Sequence, residues 1–142
     1  ELSRGEIDQI SNAREHTLDE NAYFDVIRRK TASLFFSCMR IGAISADAPE
    51  DKVRSLELFG EKLGICFQIK DDILDVTGDV NKLGKNTLAD GNKSNFITMY
   101  GLEECKVMCE NLTDECIAIL EKISVNTDIL KKLTIELLER DF

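Results

Sequence analysis

The segment Gly64–Asp79, GICFQIKDDILDVTGD, constrains the fold more than any other part of this chain. Its apolar residues, Ile65, Cys66, Phe67, Ile69, Ile73, Leu74 and Val76, surround most of a helix, and a helix apolar nearly all round is a buried one. Gln68, Asp71, Asp72 and Asp75 are set into it at i, i+3, i+4 and i+7. At about 100° per residue that spacing confines all four to one stripe about 100° wide. A buried, unpaired carboxylate costs on the order of several kcal/mol or neutralises itself. The stripe is therefore expected to line a polar cavity filled by positive charge. Clustered oxygen ligands suit Mg²⁺, which takes one or two carboxylates, keeps several waters and accepts phosphate oxygens. The alternative is a solvated acidic face, and the hydrophobic neighbours count against it.

A chain of 142 residues suffices for one domain, and no internal linker argues for two, so residues 1–142 read as a single helical region. One proline and eight glycines leave long stretches unbroken, which predicts an all-α fold. No apolar run is long enough to span a membrane and no signal peptide opens the chain, so the expectation is a cytoplasmic protein. A net charge of −9 argues against nucleic acid as a partner, because phosphate backbones require Lys and Arg. An anionic phosphorylated ligand stays compatible with it, since metal ions bridge carboxylate to phosphate. The five cysteines form no C-x-x-C pair and His16 is the lone histidine, so zinc is poorly supported. Cys105, Cys109 and Cys116 fall on one helical stripe and are expected to pack as reduced thiols in the core.

Along the chain, Glu1–Asn12 reads as the tail of a helix already under way, and Asp19–Ser45 as helical. Ser45–Asp51 is a junction in which Asp47 is expected to cap a new helix, with Pro49 in its first turn and Glu50 completing a capping box. That helix should carry the aspartate stripe and end at about Thr77, ahead of a loop over Gly78–Ser94. Asn95–Phe142 reads as further helices, interrupted near Asn126. Arg28, Arg29 and Lys30 bring positive charge into the first helical pattern.

Phe67-Gln68-x-x-Asp71-Asp72-x-x-Asp75 resembles the second aspartate-rich motif of the trans-isoprenyl diphosphate synthases, the polyprenyl synthase family. Lys30-Thr31, Gly84-Lys85 and Asn92-Lys93-Ser94 resemble that family's lysine elements, in the same order along the chain. Each lysine element is weak alone; the ordered set is specific. The resemblance implies the C-terminal part of the isoprenoid-synthase helical bundle. It also implies a Mg²⁺-dependent prenyltransferase that ionises an allylic diphosphate and condenses it with isopentenyl diphosphate. On that reading Asp71 is the most direct metal ligand, with Asp72 and Asp75 acting partly through water. Lys30, Lys85 and Lys93 hold the diphosphate, while Thr31 and Gln68 offer oxygen dipoles to the cationic carbon chain.

The family uses two aspartate-rich motifs, and only the second stands in this sequence. The chain is thus expected to be an incomplete portion, inactive alone, of an enzyme that works as a homodimer. The competing expectation is a non-catalytic binding or regulatory subunit that pairs with a complete partner.

Overall fold

The computed structural model describes residues 20–77 and 95–140. Its elements are α1 (Glu20–Ile27), a π-helical turn (Arg28–Ala32), α2 (Ser33–Ser45), α3 (Glu50–Thr77), α4 (Phe96–Tyr100), α5 (Leu102–Glu121) and α6 (Asp128–Glu139). The fold is all-α. The readings over Glu1–Asn12 and Gly78–Ser94 lie outside the described residues.

α3 is the axis of the bundle. It packs against α2 and α5, and also meets the π turn, α4 and α6. Two clusters make the core. Phe59 and Leu63 meet Cys116, Leu120 and Ile123 at one end. Ile65, Cys66, Ile69 and Ile73 meet Ile27, Ala32, Phe96, Cys105 and Cys109 at the other. The α5 cysteines are buried as expected, and all five cysteines are free thiols. At the α3–α5 crossing, Cys66 Sγ lies 3.6 Å from the Cys109 carbonyl and Cys109 Sγ lies 3.8 Å from the Cys66 carbonyl. That neighbouring thiol and burial push the Cys109 thiol well above its ordinary value.

The junction before α3 departs from the sequence reading. Asp47 has φ = 51°, in the left-handed region that Asp tolerates better than most residues. The Ala48 N–H donates to the Ala43 carbonyl at 3.0 Å and the Asp47 N–H to the Ile44 carbonyl at 3.0 Å. This is a Schellman closure of α2, so Asp47 terminates the helix behind it instead of capping the one ahead. The break expected near Asn126 is present, and the Asn126 side chain accepts from the Asp128 N–H at 2.9 Å at the start of α6.

Candidate diphosphate and metal site

The site is organised by a close helix crossing. Gly60 and Gly64 of α3 face the π turn and the start of α2, where a Cβ on Gly64 would stand 2.5 Å from the Ala32 Cα. Because the backbones touch there, Thr31, next to Ala32, reaches Gln68, one helical turn beyond Gly64. The π turn serves the same end. The Ser33 N–H donates back to the Arg28 carbonyl, five residues earlier, and the Ser33 hydroxyl takes the Arg29 carbonyl at 2.6 Å. Such single wide turns inside helices recur at functional sites. Here one carries the Lys30-Thr31 pair.

From Thr31 a hydrogen-bonded chain runs inward. The Thr31 hydroxyl donates to Gln68 Oε1 at 3.0 Å, Gln68 Nε2 donates to Asp72 Oδ1 at 3.0 Å, and the Phe96 N–H donates to Asp72 Oδ2 at 2.9 Å. A carboxylate accepts only, so Gln68 must turn its NH₂ toward Asp72 and its oxygen toward Thr31. The chain thereby fixes the orientation of every member.

The four stripe residues do not share one environment. Asp72 is 6% exposed and turned into the protein, where it ties Gln68 to the N-terminal turn of α4. Asp71 is partly exposed and Asp75 exposed, so these two face the site's open side. The resemblance makes Asp71 the most direct metal ligand, with Asp72 and Asp75 acting partly through water; here both Asp72 oxygens serve protein donors. Among the described residues, no group of three His, Cys, Asp or Glu side chains is arranged to hold a metal ion.

The Asp71–Asp75 pair does fit Mg²⁺, which needs only one or two carboxylates when water and phosphate complete its shell. Burial raises the Asp71 pKa above its ordinary value, the Arg140 guanidinium works against that rise, and the Asp75 charge adds to it. A partly desolvated carboxylate that feels a second carboxylate is short of positive charge. Arg140, at the end of α6, supplies some: it donates to Asp71 Oδ1 and, at 3.3 Å, to the Phe67 carbonyl. Its guanidinium carbon lies 4.1 Å from the Phe67 ring centroid, a cation–π distance. Nothing in the sequence singles out Arg140, since a basic residue closing the last helical pattern is ordinary.

Lys30 is half-buried on the π turn beside Thr31. Arg28 pairs with Glu61 at 3.1 Å on the surface. Lys85 and Lys93 lie outside the described residues; among the described ones, contacts join Thr31, Gln68 and Asp72 in one chain and Arg140 to Asp71, with Asp75 close enough to act on Asp71.

This helical bundle has the fold of the prenyl diphosphate synthases. It superposes on heptaprenyl diphosphate synthase from Staphylococcus aureus with a TM-score of 0.83 at 21% identity, covering 99% of this chain and 57% of that one. That likeness establishes the fold.

The chain belongs to the polyprenyl synthetase family, whose model matches residues 1–135. It is 37% identical over 126 residues to geranylgeranyl diphosphate synthase of Sulfolobus acidocaldarius, covering 84% of this chain and 38% of that protein. It is 35% identical over 136 residues to farnesyl diphosphate synthase of Bacillus subtilis, covering 94% of this chain and 45% of that protein. The chain thus spans less than half the length of these two relatives. No described helix is long and apolar enough to cross a membrane.

Proposed function

We propose that the intact protein is a Mg²⁺-dependent prenyltransferase that condenses an allylic diphosphate with isopentenyl diphosphate, and that this chain is the portion carrying the second aspartate motif. Family membership supports the reaction class. The observation that carries the site is the division of the stripe, with Asp71 and Asp75 at the open face and Asp72 locked inward by Gln68 and Phe96.

In this reading Asp71 and Asp75 would hold the metal, which when bound would supply positive charge toward the diphosphate leaving group. Lys30 adds a fixed positive charge to the same leaving group, and Lys85 and Lys93 extend that role. The Thr31 hydroxyl has its proton committed to Gln68, so its lone pairs present a dipole to a cationic carbon without a free base to deprotonate it. Gln68, held from both ends, keeps Thr31 in place. Asp72 is a positioning residue that anchors the chain to α4. A homodimer assembled through helices outside this portion, working in the cytoplasm, completes the proposal.

The test is titration of the chain with Mg²⁺ and a non-hydrolysable allylic diphosphate analogue, beside a chain-elongation assay of the protein carrying both aspartate motifs. Metal-dependent analogue binding, abolished by Asp71→Asn, is expected, together with elongation that needs Mg²⁺. Elongation that survives both Asp71→Asn and removal of Mg²⁺ would overturn the assignment.

A further inference from the structure

Arg140 occupies one carboxylate oxygen of Asp71, the residue read as the most direct metal ligand, and its contacts are those of a placeholder. Its backbone leaves the helical conformation at the end of α6 (φ −59°, ψ 134°), which lets the side chain reach α3. One Nη2 group serves two acceptors, Asp71 Oδ1 and the Phe67 carbonyl. The Phe67 ring covers one face of the guanidinium. Nε is buried and has no hydrogen-bond partner.

A strong arginine–carboxylate pair uses the planar fork bidentately, with two parallel N–H···O bonds, whereas Arg140 reaches Asp71 through Nη2 alone. A buried donor left without an acceptor works against the contact that buries it. The Arg140–Asp71 pair therefore satisfies Asp71 but leaves Arg140 under-served. It is a contact that a better partner for Asp71 can displace.

We propose that Arg140 is an autoinhibitory latch: it occupies Asp71 when no divalent cation is present, and the cation takes Asp71 by displacing it. The inference rests on the reading of Asp71 as a metal ligand. Two consequences follow from linkage alone. The apparent metal affinity is reduced by the fraction of molecules with the latch open, so removing the latch must tighten metal binding. By reciprocity, bound metal must loosen Arg140 and the end of α6.

The experiment uses Mn²⁺ as the probe, with affinity read by calorimetry and electron paramagnetic resonance. Wild type is compared with Arg140→Gln, Asp71→Asn and Arg28→Gln, the last removing the same charge from the exposed pair with Glu61. Arg140→Gln is expected to bind Mn²⁺ roughly tenfold tighter than wild type, the factor that a latch closed in about nine molecules of ten would impose. Arg28→Gln should stay within about twofold of wild type, the margin that a general change of net charge screened by salt allows. In the wild type, which needs no variant to fold, saturating Mg²⁺ should speed amide exchange at residues 136–140. Mn²⁺ binding that Asp71→Asn abolishes but Arg140→Gln leaves unchanged or weaker would overturn the latch alone. Binding indifferent to Asp71→Asn would overturn the metal-ligand reading, and the latch with it.

Discussion

A Cβ on Gly64 would stand 2.5 Å from the Cα of Ala32, closer than any real side chain approaches a neighbouring backbone. Gly60, one turn earlier, repeats the relationship at 2.8 Å from the Phe35 carbonyl oxygen. The two glycines are what allow α3 to touch the π turn at Ala32 and the start of α2 at Phe35, and the polar chain from Thr31 to Asp72 depends on that touch.

Gly64→Ala is therefore expected to destabilise the fold even though alanine is the better helix former. Overpacking a tight contact costs about 1–3 kcal/mol, against a gain in helix propensity of roughly 1 kcal/mol. Gly42 in α2 provides the internal comparison, because nothing lies within 4 Å of the place its added methyl would take. Gly42→Ala should stabilise by about 0.5–1 kcal/mol. Urea denaturation should move the two midpoints in opposite directions; a Gly64→Ala midpoint at or above that of Gly42→Ala would refute the close crossing.

How much of this is legible in the sequence depends on how local the cause is. The span of α3, the burial of Cys105, Cys109 and Cys116, and the break near Asn126 are all set by spacing within one segment, and periodicity captures them. The stripe from Gln68 to Asp75 is visible in the same way, but its division is not. Which carboxylate turns inward is decided by Phe96, 24 residues from Asp72, whose N–H in the first turn of α4 needs an acceptor. Arg140 lies 69 residues from Asp71 and carries no local pattern at all. Asp47 misleads because its acidic side chain suits a helix start, whereas its backbone angle closes the helix before it.

Asp72→Asn tests the inward role. An amide can still accept from either Gln68 Nε2 or the Phe96 N–H, but its NH₂ must then face the other donor. Leaving one buried donor unsatisfied costs about 1–3 kcal/mol. The Phe96 and Ile97 amides should exchange faster than in wild type, while the exposed helix pair Arg54–Glu50 is untouched. Unchanged protection at Phe96 would show that Asp72 does not hold α4.

The thiols predict both reactivity and alkaline stability. Cys38 is exposed, whereas Cys66, Cys105, Cys109 and Cys116 are buried. Iodoacetamide at neutral pH should modify one thiol in the native chain, and mass mapping should place it at Cys38. Burial pushes Cys105 up to about 11 and Cys116 up to about 12, from an ordinary value of 9.0. Between those values the unfolded chain has lost its thiol protons while the folded chain keeps them. Stability should therefore hold below pH 9 and fall as pH rises toward 11–12, which urea midpoints measured across that range will read. Replacing Cys105 and Cys116 by Ala should flatten that fall; an equally steep fall in the double variant would place its cause elsewhere.

Thr31 and Gln68 should be energetically coupled, and unequally exposed to loss. Thr31→Val keeps the shape of the side chain and removes one neutral donor, at a cost of about 0.5–1.5 kcal/mol. Gln68→Leu removes the acceptor for Thr31 and also strips Asp72 Oδ1 of its donor. A hydrogen bond to a charged group contributes about 1.5–3 kcal/mol, so this variant should lose more. Once Gln68 is gone the Thr31 hydroxyl has nothing to donate to in the chain, so adding Thr31→Val should cost little more. A double-mutant cycle on urea stabilities then gives a coupling of about 0.5–1.5 kcal/mol, within the range for residues in one hydrogen-bonded network. Additive losses would mean that the hydroxyl of Thr31 is bonded elsewhere in solution, and that Lys30 and Thr31 are positioned by packing at Gly64 alone.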